Sequence, residues 1–194
     1  MYSNGSIAIR NMPEPALVLQ FASGWLDAMA DESGSNPNPA RGQPSSSPSP
    51  RKSNEAGQPP LILLLAEDNF PDALLVREAI QRERLPLEVH IVPDGQQAID
   101  FIARSEADAD APVPHILILD LNLPKMDGFE VLRRIRASHK HKNLPVIVVT
   151  SSDSPEDRKE AARLGARYFR KPTGYEEYLK IGVVLKQVLE EAKG

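Results

Sequence analysis

Three short apolar runs, each closed by a polar side chain, constrain this chain most. Leu61-Ile62-Leu63-Leu64-Leu65-Ala66 is followed by Glu67-Asp68, Ile116-Leu117-Ile118-Leu119 by Asp120, and Val146-Ile147-Val148-Val149 by Thr150. Such runs, apolar without polar alternation, suit strands buried on both faces, the pattern of a parallel sheet covered by helices. Glu88–Val92 and Tyr168–Arg170 read as weaker strands of the same set.

Between the runs the apolar spacing turns helical. Pro71–Arg84 places Ala73, Leu74, Leu75, Val76, Ala79 and Ile80 largely on one side. Gln96–Ala103 carries Ala98, Ile99 and Ile102, and Gly128–Ala137 carries Phe129, Val131, Leu132 and Ile135. Ser154–Leu164 opens as Ser-Pro-Glu-Asp, an N-cap followed by proline at the first helical position, and Gly165 closes it. Tyr175–Glu190 is the last helix. At about 100° per residue, Tyr178, Ile181, Val184, Leu185, Val188 and Leu189 share an arc of about 140° that would face the sheet. Leu179 and Val183 fall on a second stripe, expected to be exposed and to form a homodimer or partner seam. Strands alternating with helices in this way predict an α/β domain with a doubly wound, five-stranded parallel sheet.

The N-terminal part has a different texture. The chain has 194 residues and 18 prolines. Twenty of the thirty residues 31–60 are Pro, Ser, Gly or Asn, and none is Val, Ile, Leu, Met or aromatic. Such a segment cannot bury enough apolar surface to offset the entropy of ordering, so it is expected to be disordered. Ala16 to Met29 is apolar enough for a short helix, but Gln20, Gly24 and Asp27 interrupt any likeness to a secretory signal. The expected division is a disordered extension over 1–58 and a folded domain over 59–194. With no cysteine, thiolate zinc sites, disulfides and cysteine nucleophiles are excluded. A formal charge of −4 speaks against a basic nucleic-acid binder. No apolar run approaches the roughly 18 residues of a membrane span.

In an open parallel sheet the ligand crevice lies beyond the carboxyl ends of the strands. There the sequence delivers Glu67 and Asp68, Asp120, Thr150 and, after the last strand, Lys171-Pro172. Carboxylates this close repel one another unless a cation compensates. Hard oxygens suit Mg²⁺, and a lysine with a hydroxyl suits the oxygens of a transferring phosphoryl group. No G-x-x-x-x-G-K-[ST] phosphate loop is present. Because a carboxylate can attack phosphorus itself, the residues read as Mg²⁺-assisted phosphorylation of a strand-end aspartate.

Leu65-Ala66-Glu67-Asp68-Asn69, Asp120-Leu121-Asn122-Leu123-Pro124-Lys125-Met126-Asp127-Gly128, Val148-Val149-Thr150-Ser151 and Tyr168-Phe169-Arg170-Lys171-Pro172 together resemble the receiver domain of two-component response regulators. The resemblance runs from about Leu61 to Leu189. It implies a flavodoxin-like sheet of strand order 2-1-3-4-5. It also implies Asp120 as phosphoacceptor, Asp68 as direct Mg²⁺ ligand, Glu67 as an acidic partner acting through water, and Asn122 as a carbonyl ligand. Thr150 and Lys171 would meet the phosphoryl group, Tyr168 would be the aromatic that turns inward on activation, and the family often has a cis bond before Pro172. Thr173-Gly174-Tyr175 departs from the usual Phe or Leu and resembles the stand-alone regulators that partner bacterial phytochrome-type kinases.

The function so implied is phosphorelay in a bacterial cytoplasm, with a sensor histidine kinase as donor and no direct nucleic-acid or membrane contact. The protein would be a phosphoacceptor, not a turnover enzyme. An Asp-nucleophile phosphatase would want a second acid where Asn122 stands. A flavin-binding relative would want a hydroxyl-rich turn in place of Glu67-Asp68-Asn69. The alternative kept open is a phosphorylation-independent module of the same fold. His139-Lys140-His141-Lys142 reads as the solvated end of a helix, and Asp108 and Asp110 as solvent-facing.

Overall fold

The computed structural model describes residues 60–192. The reading of residues 1–58 and the division at 58/59 lie outside the described residues.

The strands are β1 (Leu61–Ala66), β2 (Leu87–Val92), β3 (Ile116–Asp120), β4 (Val146–Thr150) and β5 (Arg167–Arg170). The helices are α1 (Phe70–Arg82), α2 (Gly95–Ala107), α3 (Gly128–Ala137), α4 (Pro155–Arg163), α5 (Tyr175–Tyr178) and α6 (Ile181–Glu191). The sheet runs β2-β1-β3-β4-β5 with every pair parallel, the expected doubly wound, flavodoxin-like order.

The period of two along each strand divides the core. Leu64, Ala66, Leu117, Leu119, Val146 and Val148 face a cluster with Ala98 and Ile102 of α2 and Val131, Leu132 and Ile135 of α3. Leu63, Leu65, Ile116, Ile118, Ile147 and Val149 face the other, with Ala73, Val76 and Ala79 of α1 and Ile181 and Leu185 of α6. Both faces of the central strands are therefore covered, which is why their sequences carry no polar alternation. The helices start where side chains can accept orphan N–H groups. Asn69, Asp94, Asp127 and Ser154 cap α1 to α4, accepting from Asp72, Gln97, Glu130 and Asp157 N–H. Gly165 follows α4 at φ +63°, a left-handed turn that glycine takes without strain.

The expected single last helix is two. Lys180 and Val183 N–H reach the carbonyls of Glu177 and Lys180, and Gly182 N–H that of Leu179, each three residues back. These tighter turns shift the phase between α5 and α6. Gly182 fixes the junction, because a Cβ there would sit 2.7 Å from the Ala79 carbonyl oxygen of α1. The shift overturns the expected seam: Leu179 is 5% exposed and packs in the α1 cluster, while Val183 is 44% exposed. The pair forms no common surface stripe. His141 is a second correction. It is buried, with Nε2 2.9 Å from Ser105 Oγ, because α2 runs one turn beyond the expected Ala103 and brings Ser105 to it. Asp108 and Asp110 are exposed as expected. Among the described residues no peptide bond is cis, so the bond before Pro172 is trans, against the family expectation.

Candidate functional site

Strand register builds the site. Ala66 pairs with Leu119, which brings Glu67 level with Asp120. Asp120 pairs with Val149, so Thr150 lies one step beyond it, and Thr150 pairs with Arg170, one residue before Lys171. Lys171 N–H donates to the Thr150 carbonyl at 2.8 Å and ties the following loop to the end of β4.

Oxygens of Glu67, Asp68 and Asp120 lie within 4.8 Å of one another. Glu67 and Asp120 are buried, while Asp68 is exposed at the mouth. Asp120 is bracketed: Lys171 Nζ lies 2.6 Å from Oδ2, and Asn122 N–H donates to Oδ1 at 3.0 Å. Lys171 also meets Glu67 Oε2 at 2.8 Å and Asp72 Oδ2 at 2.8 Å. Burial alone would pull its ammonium pKa down, but the surrounding carboxylates outweigh this and hold it above the ordinary value. Burial pushes the Glu67 carboxyl up to about 7 despite the lysine beside it. Three carboxylates thus meet one ammonium, with a fourth, Asp68, beside Glu67 and Asp120, an excess of negative charge that suits a hard divalent cation.

Thr150 is fully buried, and its Oγ1 accepts from Ser152 N–H at 3.1 Å. The Ser152 carbonyl accepts from the Tyr168 hydroxyl at 2.7 Å, and Ser152 Oγ donates to Asp157 at 2.6 Å. The Arg158 guanidinium lies 4.9 Å from the Tyr168 ring centroid. One residue, Ser152, therefore links Thr150 to Tyr168 through its N–H and its carbonyl.

The structure brings together Glu67, Asp68, Asp120, Asn122 and Lys171, and joins Thr150 to Tyr168 through Ser152. Sequence reading missed Asp72 and Ser152. Asp72 stands at the third position of α1 behind the Asn69 cap, where an acid reads as a partner of the helix dipole. Its place just after Glu67-Asp68, on a helix that starts at the site, was the available signal.

The response regulator receiver domain family matches residues 63–181. The chain belongs to this family. As a receiver it is 36% identical over 104 residues to the response regulator Rcp1 of Synechocystis sp., covering 54% of this chain and 71% of that protein. It is 35% identical over 135 residues to a probable methanogenesis regulatory protein, FilR2, of Methanothrix harundinacea, covering 69% of this chain and 82% of that protein. The Mn²⁺-bound form of Rcp1 superposes with a TM-score of 0.60 at 32% identity, over 66% of this receiver and 93% of that chain. The phosphorylated cyanobacterial phytochrome response regulator RcpA gives the same TM-score, 0.60, and the same identity, 32%, over 66% of this receiver and 92% of that chain. Among the described residues no helix is long and apolar enough to cross a membrane.

Proposed function

We propose that this receiver is the phosphoacceptor of a two-component phosphorelay, in which Asp120 takes a phosphoryl group from a phosphohistidine of a sensor histidine kinase. The bracketing of Asp120 carries this reading. One carboxylate oxygen is held by Lys171 and the other by Asn122 N–H, inside a cluster of further acids. Two donors on one carboxylate fix its position for in-line attack. An Asp120 oxygen forms the bond to phosphorus as the phosphorus–nitrogen bond breaks and its electron pair leaves with the imidazole. Lys171 offers its protons to phosphoryl oxygens as charge gathers there.

The donor set fits Mg²⁺: three carboxylates of hard oxygen and no soft ligand. Asp68 and Asp120 would hold the ion directly with the Asn122 carbonyl, and Glu67 through water. When bound, the ion neutralises phosphoryl oxygens that these acids would otherwise repel.

Thr150 and Tyr168 would carry the change of state outward. If the Thr150 hydroxyl turns to a phosphoryl oxygen, it leaves Ser152 N–H and frees the residue whose carbonyl holds Tyr168. Phosphorylation then biases an equilibrium between two arrangements. The role is cytoplasmic signalling to a protein partner, with slow water attack on the acyl phosphate in place of turnover.

Incubation of the full chain with acetyl phosphate and Mg²⁺, read by intact mass, tests this. The wild type should gain one labile phosphoryl group and Asp120→Asn none. Equal labelling of both would sink the assignment and favour a phosphorylation-independent module.

A further inference from the structure

Lys125 stands at φ +64°, in the left-handed region that glycine takes freely and a lysine does not. Backbone of that kind persists only where its surroundings hold it, and it gathers at working sites. Lys125 lies in the loop between β3 and α3, and both ends of this loop bear on Asp120. Asn122 N–H donates to the Asp120 carboxylate at 3.0 Å, and Gly128 is pressed so close to the Asp120 carbonyl that a Cβ there would have no room. Between the two, Met126 N–H donates to the Pro124 carbonyl at 2.8 Å and closes a tight turn about Lys125.

The support for this turn comes from the start of α2. Lys125 Nζ lies 3.0 Å from Asp94 Oδ2. The Asp94 side chain is 4% exposed and that of Lys125 47%, so the acid is the fixed member of the pair. Its oxygens are already held, Oδ1 by Gln97 N–H at 2.7 Å and Oδ2 by the Gln97 side-chain amide at 2.9 Å. Backbone follows the same line. Gly95 N–H donates to the Pro124 carbonyl at 3.3 Å, and the Met126 carbonyl leaves no space for a Cβ on Gly95. Leu121, Leu123 and Met126 bury the apolar side of the loop, and Asp94 holds its polar side. Capping α2 does not account for the acid, because asparagine caps a helix as well. A buried carboxylate is costly without a cation, and the cation here is Lys125.

We propose that Asp94 is a positioning residue for the phosphoacceptor site: its ion pair with Lys125 holds the left-handed turn, and the turn holds Asn122 in place beside Asp120 and Mg²⁺. This rests on the phosphoacceptor reading above and extends its machinery to the turn between β2 and α2. Without the pair the strained turn relaxes in the metal-free protein. Mg²⁺ must then rebuild it on binding, and apparent affinity falls by the fraction of molecules still in order.

Calorimetric titration of the full chain with Mg²⁺ tests it. Asp94→Asn keeps the cap and removes the charge, and should weaken Mg²⁺ binding about three- to tenfold. Adding Lys125→Gly should return the affinity to within about twofold of the wild type, since glycine takes the left-handed turn unaided. Adding Lys125→Ala in its place should leave binding weak. The two double variants carry the same charge and differ by one Cβ, so the comparison separates backbone strain from long-range attraction of the cation. A merely structural pair would lower the melting temperature and leave the Mg²⁺ affinity unmoved. Should Asp94→Asn fail to fold, Lys125→Ala against Lys125→Gly with Asp94 intact makes the same comparison. Wild-type affinity in Asp94→Asn, or equal affinity in the two double variants, overturns the positioning role and leaves the phosphoacceptor reading standing. A wild type that binds no Mg²⁺ would overturn that reading and this inference with it.

Discussion

A Cβ atom on Gly128 would lie 2.3 Å from the carbonyl oxygen of Asp120. The loop leaving β3 folds back onto the strand end it came from, and Gly128 N–H donates to the Leu121 carbonyl at 3.0 Å. The backbone that carries Asp120 is thus held by backbone at the start of α3. Gly128→Ala must push the two apart. Its expected cost is about 1–3 kcal/mol, as for other overpacked sites. Urea denaturation should show the loss, and acetyl phosphate labelling should slow with it. Wild-type stability would contradict the contact.

Arg136 is a staple between segments far apart in sequence. Its guanidinium donates to the carbonyls of Leu164 at 2.7 Å, Leu144 at 2.9 Å, Lys142 at 3.1 Å and Gly165 at 3.1 Å. These carbonyls lie on the approaches to β4 and β5. A lysine has neither the fork geometry nor the donors to serve all four. Arg136→Lys should therefore cost about 1–3 kcal/mol in thermal or urea unfolding, with little effect on the distant acidic site. A loss well under about 0.5 kcal/mol would show that water serves these carbonyls equally well.

His115 contributes one part of the pH dependence. Its Nδ1 accepts from Ile62 N–H at 3.0 Å, and burial lowers its pKa from the ordinary 6.5. A histidine with a depressed folded pKa binds fewer protons folded than unfolded. Its contribution is therefore present above about pH 6.5 and lost as pH falls through the lower folded value. Glu67, raised to about 7, works in the opposite sense, because a carboxyl with a raised folded pKa gains stability as pH falls. The His115 part is therefore read as a difference: relative to His115→Gln, the wild-type urea midpoint should fall between about pH 7 and about pH 5. An unchanged slope in the variant would assign the dependence to other groups.

Removing the lysine exposes what it balances. Lys171→Ala leaves Glu67, Asp72 and Asp120 facing one another without their cation. The expected loss is on the order of 2 kcal/mol, less than for a sealed pair because the freed acids can take up protons. Mg²⁺ should raise the melting temperature of this variant more than that of the wild type. Equal Mg²⁺ shifts in the two proteins would argue against a shared site.

The sheet was legible because Leu63–Ala66, Ile116–Leu119 and Val146–Val149 are buried on both faces, and burial of that kind writes itself directly into composition. Glu67, Asp68, Asp120 and Lys171 were legible for a related reason: the ends of parallel strands converge. Ser152 was not, because it acts mainly through its backbone N–H and carbonyl, which carry no residue identity. Asp72 was hidden by a sufficient local explanation, the dipole of α1. The break between α5 and α6 was hidden because its cause is tertiary, the approach of Gly182 to Ala79, while Leu179 and Lys180 are good helix formers. His141 became buried only because α2 continued to Ser105, a boundary that periodicity could not fix.

A phosphoacceptor role for Asp120 requires that its own carboxylate become the acyl phosphate. Borohydride reduction converts an aspartyl phosphate to homoserine, which peptide mass spectrometry locates to a single position. After treatment of the full chain with acetyl phosphate and Mg²⁺, homoserine is predicted at position 120, and at no position when Mg²⁺ is withheld by chelation. Conversion at Asp68 or another carboxylate, or a stable phosphate on a serine or threonine with position 120 unmodified, would contradict it.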